Sequence, residues 1–186
     1  MLRRGRYVAS CSEGFCRGQN AHGTSGLERG IFDILNFVLG GGAHDVPLPR
    51  DRRMRADMLF ELRNGFMLAV EYDGAFWHRG QLRRDLRKSY LLRDLRVHEV
   101  VRIRETPLEP TSALDVAVPR NPTAVLCARV TLAHVLHMLS PCFGNQTIQR
   151  IEHSLLASSD DLDRDAVACT ECRKLLKVVT AGRVPR

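Results

Sequence analysis

The chain is predicted to be an α/β protein, a small mixed β-sheet flanked by helices. Three observations carry this. A β-hairpin lies between residues 56 and 73, turning at Arg63-Asn64-Gly65. Helical spacing of apolar residues precedes it, from Leu27 to Val38, and follows it, from Leu82 to Leu95. A further apolar strand, 97–104, comes next, and the remainder is mostly helical. That order is an α/β layer in which helices cover a sheet.

Taken in turn, residues 1–24 hold Gly, Ser and Cys with little periodicity and read as an irregular arm. Ser25-Gly26-Leu27-Glu28 is a capping-box pattern. It opens a helix with Leu27, Ile31, Ile34 or Leu35, and Val38 on one face, ended by Gly40-Gly41-Gly42. After the hairpin, Gly74 to Gly80 reads as a loop holding Trp77 and His78. The helix that follows is expected to turn Leu82, Leu86, Leu91 or Leu92, and Leu95 inward, with Asp85 and Lys88 on its other side. In strand 97–104, Val97, Val101 and Ile103 share one face, and His98, Arg102 and Arg104 the other. Leu114 to Val118 reads as another strand, 128–139 and 147–157 as helices, and the acidic run Ser158 to Asp165 as a linker. The organisation expected is an arm (1–24), an α/β core (25–140) and a helical extension (141–186).

The hairpin register follows from burial. Ala56, Met58, Phe60 and Leu62 share one face of the first strand, and Phe66, Leu68, Val70 and Tyr72 one face of the second. A two-residue loop would turn these faces to opposite sides. A three-residue loop pairs Phe60 with Leu68 and Met58 with Val70, and a one-residue slip would flip every side chain. Gly65 then supplies the left-handed residue such loops want. This register sets Asp57 opposite Glu71, with Cβ atoms about 4.5–5.5 Å apart. Carboxylates so close need a cation between them or a proton on one. Asp73, two residues on, shares their face. The acids either line a solvent face or sit under cover. Glu71 lies among Met67, Ala69 and Val70, a run apolar on both faces, where an acid needs a partner.

Composition bounds the partners. The 186 residues are 44% hydrophobic, enough for one domain with a sizeable core. The net charge of +7 favours a polyanion such as DNA, and basic residues cluster at Arg50 to Arg55 and Arg79 to Arg104. Only three of the 28 basic residues are Lys, a bias that genome composition can also produce. No apolar run approaches the length of a transmembrane helix and no signal-peptide core follows the basic start, so a cytoplasmic protein without a membrane partner is expected. Reduced thiols are therefore expected at the six Cys. Cys169 and Cys172 form one C-x-x-C knuckle, and with Cys11 and Cys16 could hold Zn²⁺. The pattern leaves the oligomeric state open.

The motif text is Arg55-Ala56-Asp57, then Ala69-Val70-Glu71-Tyr72-Asp73-Gly74 with Trp77-His78, Arg83-Arg84-Asp85-Leu86-Arg87-Lys88, and Val100-Val101-Arg102-Ile103-Arg104-Glu105. Over residues 25–118 this resembles the PD-(D/E)XK nuclease superfamily, with its restriction-endonuclease-like fold. The likeness is nearest to the branch of very-short-patch-repair endonucleases and their zinc-ribbon-bearing bacterial relatives. The resemblance implies metal-binding acids at Asp57 and Glu71 and an acid on the first helix at Glu28, which the residues alone read equally as a reciprocal cap. The superfamily's usual catalytic Lys falls at Asp73, a departure that the resembled branch shares. Lys88, His78 and Arg79 are the candidates to replace it. Only Cys16 stands in register with a ribbon knuckle, which makes the arm a degenerate ribbon remnant.

The implied function is a metal-dependent DNA endonuclease, in repair or restriction, hydrolysing phosphodiester bonds with Mg²⁺ or Mn²⁺. Asp57, Glu71 and Asp73 would hold the ion through hard oxygen ligands. His78 would orient or deprotonate water, or else only hydrogen-bond beside Trp77. Lys88 would stabilise the phosphate, or else form a surface pair with Asp85. The alternatives are an inactive DNA-binding module of the same fold and a zinc-stabilised interaction protein.

Overall fold

The computed structural model describes residues 26–156. The arm, Ser25, the linker, and Cys11, Cys16, Cys169 and Cys172 with their proposed Zn²⁺ lie outside the described residues. Helix α1 (Gly26–Leu39) leads into β1 (Gly42–Pro47), then β2 (Arg55–Glu61) and β3 (Met67–Asp73). A short turn of helix, α2 (Ala75–His78), and helix α3 (Leu82–Leu92) connect to β4 (Glu99–Glu105) and β5 (Val116–Val118). Helices α4 (Ala124–Leu139) and α5 (Asn145–Leu156) complete the order.

The five strands form one mixed sheet in chain order. The β1–β2 and β2–β3 pairs are antiparallel, and the β3–β4 and β4–β5 pairs are parallel. The hairpin register is the one burial demands, with Met58 opposite Val70 and Phe60 opposite Leu68. Leu62 N–H donates to the Phe66 carbonyl at 2.7 Å and closes a three-residue loop. Gly65 has φ +74° and Asn64 φ +58°, so the loop spends two left-handed residues rather than one.

One sheet face carries Met58, Phe60, Leu68, Val70, Val101 and Ile103 against α1 and α4, and α5 packs on those two helices, with Ile31, Phe32, Leu35, Leu132 and Ile151 fully buried. Helix α5 thus joins the same core as α1. The stretch Ala124–Cys142 is long and apolar enough by composition to cross a bilayer, which run length alone did not suggest. Here it turns Val125, Cys127, Ala128, Leu132 and Val135 into the core, as a core helix does.

The opposite face has a smaller apolar patch of Leu48, Leu59, Met67, Ala69, Leu91, Leu92 and Val97. Several expectations change here. β1 was not foreseen. Ala56 and Val97 belong to this second patch rather than to the main core: Ala56 joins beside the partly buried Val46 and Met54, and Val97 precedes the strand and follows Leu92. The predicted loop at 74–80 includes the turn of helix α2, and the strand expected from Leu114 spans only Val116–Val118. Leu82 and Leu86, expected inside, are 49% and 53% exposed, while Asp85 is buried. The reason is the surface under α3. Beyond Ala69 and Val100 this sheet face is lined by Glu71, Asp73, Arg102 and Arg104, all buried, so a polar helix face meets it.

Candidate functional site

The regular hairpin ladder ends at the Met58–Val70 pair, just before Asp57 and Glu71. Past it, side chains take over from backbone: Asp57 N–H donates to Glu71 Oε1 at 3.3 Å, and Tyr72 N–H donates to Asp57 Oδ2 at 2.9 Å. Each carboxylate is thereby fixed by a backbone N–H of the neighbouring strand.

Lys88 reaches this pair from α3. Its ammonium donates to Asp57 Oδ1 at 2.7 Å and contacts Glu71 Oε2. The expected alternative, a surface pair of Lys88 with Asp85, is not formed; Lys88 spans from helix to sheet. Glu71 is 0% exposed and so does not lie on a solvent face, while Asp57 is partly buried and lines the cleft beside it. Burial first, and the Asp57 carboxylate second, push the Glu71 carboxyl up to about 8, against the pull of Lys88. Burial alone would lower the Lys88 ammonium's pKa, but Glu71 and Asp57 together raise it above the ordinary lysine range. The ammonium therefore stays charged between the two acids.

Asp73 lies on the same face but in a separate cluster. Arg102 donates to both its oxygens, at 3.0 and 3.1 Å, and Arg104 donates to Oδ2 at 2.7 Å. His78 Nδ1 stands 2.9 Å from Asp85 Oδ1 and 3.3 Å from Asp73 Oδ1. Desolvation raises the Asp73 carboxyl, against Arg102 and His78, which lower it. Asp73, His78 and Asp85 present ligand atoms within 4.8 Å of one another, a spacing a metal ion could use. The two guanidiniums already balance the two carboxylates there, so this cluster has no charge left for a dication to neutralise.

Glu28 enters from α1, with Oε1 3.4 Å from His44 Nε2 on β1. It lines a cleft of about 340 Å³ with Asp57, His78, Asp85, Lys88, Arg53, Arg55 and Arg84. Thus Glu28, Asp57, Lys88 and His78 share one cleft, Glu71 lies buried under Lys88, and Asp73 sits behind His78. Trp77 also lines the cleft and is 77% exposed, edge to face with the 83% exposed Phe76 at 4.9 Å between ring centroids. From sequence, Arg102 and Arg104 are expected only on the second face of a strand. Their period of two inside Val-Arg-Ile-Arg, opposite the acids of β3, was the signal that they face those acids.

Four carboxyl groups, Asp57, Glu71, Asp73 and Asp85, meet three permanent cations, Lys88, Arg102 and Arg104. The hard-oxygen half of the site, Asp57 and Glu71, is bridged by the most replaceable of those cations, a lysine ammonium on a flexible stem. No family model, curated protein or solved structure matches this chain.

Proposed function

We propose that the protein is a metal-dependent DNA endonuclease with a restriction-endonuclease-like fold, using Asp57, Glu71 and Lys88 as its central acid–acid–lysine set. The observation that carries this reading is the contact of one lysine ammonium with two carboxylates on adjacent strands at the floor of a cleft. The lysine missing two residues after Glu71 is supplied from α3, while Asp73 at that place is engaged by arginines.

Asp57 and Glu71 suit a divalent cation: they are hard oxygen donors, already gathered around one positive charge. A bound Mg²⁺ or Mn²⁺ would supply neutralisation of the scissile phosphate and a lowered pKa for bound water. Lys88 then stabilises negative charge on the phosphate from the helix side. His78, with Nδ1 committed to Asp85, keeps Nε2 to accept a proton from water. Glu28 lines the same cleft. Arg53 and Arg84 beside it suit the flanking phosphates.

The test is cleavage of supercoiled plasmid and of mismatched duplex with Mg²⁺ or Mn²⁺, wild type beside Asp57→Asn and Glu71→Gln. These isosteric changes remove the groups' ability to ionise and bind a cation, with little change in shape. Metal-dependent nicking that drops by about a hundredfold or more in both variants supports the reading. A second reading is an inactive DNA-binding module, favoured by the same ammonium standing where a cation would act. DNA binding with no cleavage under either metal would establish that reading instead.

A further inference from the structure

We propose that Arg102 is a positioning residue that ties α3 to the sheet at the turn which aims Lys88 at Asp57 and Glu71; this rests on the nuclease reading for its catalytic meaning. The first half of α3 has little apolar attachment. Its buried Leu91 and Leu92 lie at the far end, and Leu82 and Leu86 face outward. A lysine stem leaving a loosely held turn would sample many positions, so something other than apolar packing must fix residues 85–89.

Arg102 does so with both branches of its fork. Nη1 donates to the two oxygens of Asp73, on the neighbouring strand β3. Nη2 donates to the Asp85 main-chain carbonyl at 2.7 Å and to Ser89 Oγ at 2.8 Å. Ser89 Oγ also donates to that carbonyl at 3.2 Å. These two α3 groups bracket Lys88 in sequence. On β4, Arg102 is directly beside Glu71, the residue Lys88 must meet. Arg102 is 2% exposed. Buried ion pairs of this kind add little net stability once desolvation is counted, so a role in orientation fits the burial better than one in stability.

The fork makes the idea testable, because lysine keeps the charge but cannot hold Asp73 and α3 at once. The variants are Arg102→Lys, the milder Ser89→Ala, Lys88→Met, and the double Lys88→Met/Arg102→Lys. With wild type active, Arg102→Lys is expected to keep DNA affinity but lose about tenfold or more in single-turnover cleavage rate, with Ser89→Ala losing less in the same direction. The double variant is expected to be no slower than Lys88→Met, since both changes remove one function. A second readout does not need activity. Lys88 competes with a cation for the acids, so Lys88→Met should bind Mn²⁺ several-fold more tightly by calorimetry, and Arg102→Lys should shift the same way. Cleavage and Mn²⁺ affinity of Arg102→Lys equal to wild type, or losses that multiply in the double variant, overturn the proposal. If wild type never cleaves, the nuclease reading falls, and the Mn²⁺ shift of Arg102→Lys alone decides: present, the positioning role stands; absent, it falls.

Discussion

A fully buried carboxyl group must hold a proton or a cation, and Glu71 is crowded by Asp57 and bridged by Lys88 at once. Its pKa of about 8 lies above the unfolded value of 4.5, so the sign of its effect is fixed. Below about 4.5 both states are protonated. Between 4.5 and about 8 the unfolded chain has released the proton and the folded protein still holds it, so this group's contribution to stability falls as pH rises. Above about 8 the loss levels off. In chelator, the denaturant midpoint is therefore expected to fall between pH 6 and 8, and Glu71→Gln should flatten that slope; an unchanged slope in the variant would show that Glu71 does not hold the proton. Under the proposed function the same proton competes with the metal. Mn²⁺ affinity should rise by up to about tenfold per pH unit toward 8 and then plateau. Calorimetry in buffers of different ionisation enthalpy would count the proton released.

The elements differ in how much of them periodicity could reveal, and β1 marks one limit. It follows directly on the glycines that end α1, has only six residues, and bends at Asp45, whose φ is +54°. Such a strand carries no alternating pattern long enough to read. It begins at Gly42, where an added Cβ would stand 2.7 Å from the Phe60 ring and 2.7 Å from Asn36 Oδ1. Gly42→Ala should therefore cost about 1–3 kcal/mol by overpacking, read as a lower denaturant midpoint at constant slope, and a neutral result would mean that β1 can shift away without loss. The hairpin was legible because one register alone brings both apolar faces to one core, which also placed Asp57 across from Glu71. Helix α3 was legible as a helix but not in its orientation. Apolar spacing pointed Leu82 and Leu86 inward, whereas the sheet beneath is ionic and accepts Asp85, Lys88 and Ser89. A helix that buries its polar side follows the chemistry of its partner surface, and that surface exists only once β3 and β4 are paired. For the same reason Lys88 could be named as a candidate but not assigned to the acids.

At the scale of the whole molecule, the chain carries +7 overall. The cleft is lined by the acids Glu28, Asp45, Asp57 and Asp85 and by the cations Arg53, Arg55, Arg84 and Lys88. Arg52 and Arg53 project from the loop before β2, Arg79 from the loop before α3, and Arg83, Arg84 and Arg87 from α3, all exposed. Under the proposed function, the arginines attract the phosphodiester and the carboxylates hold the cation. That division makes separable demands on the two sets. Removing a rim arginine that contacts phosphate should weaken DNA binding evenly across sequences and reduce the slope of log K against log salt by about 1. Arg53→Ala and Arg84→Ala are the clearest cases because both line the cleft. Together they should lower the slope by about 2 while leaving Mn²⁺ affinity nearly unchanged, since neither touches Asp57 or Glu71. Fluorescence anisotropy over a salt series, with calorimetry on the same samples, checks both halves. A slope identical to wild type would move the DNA off this rim, and with it the reason for placing the scissile phosphate over Lys88.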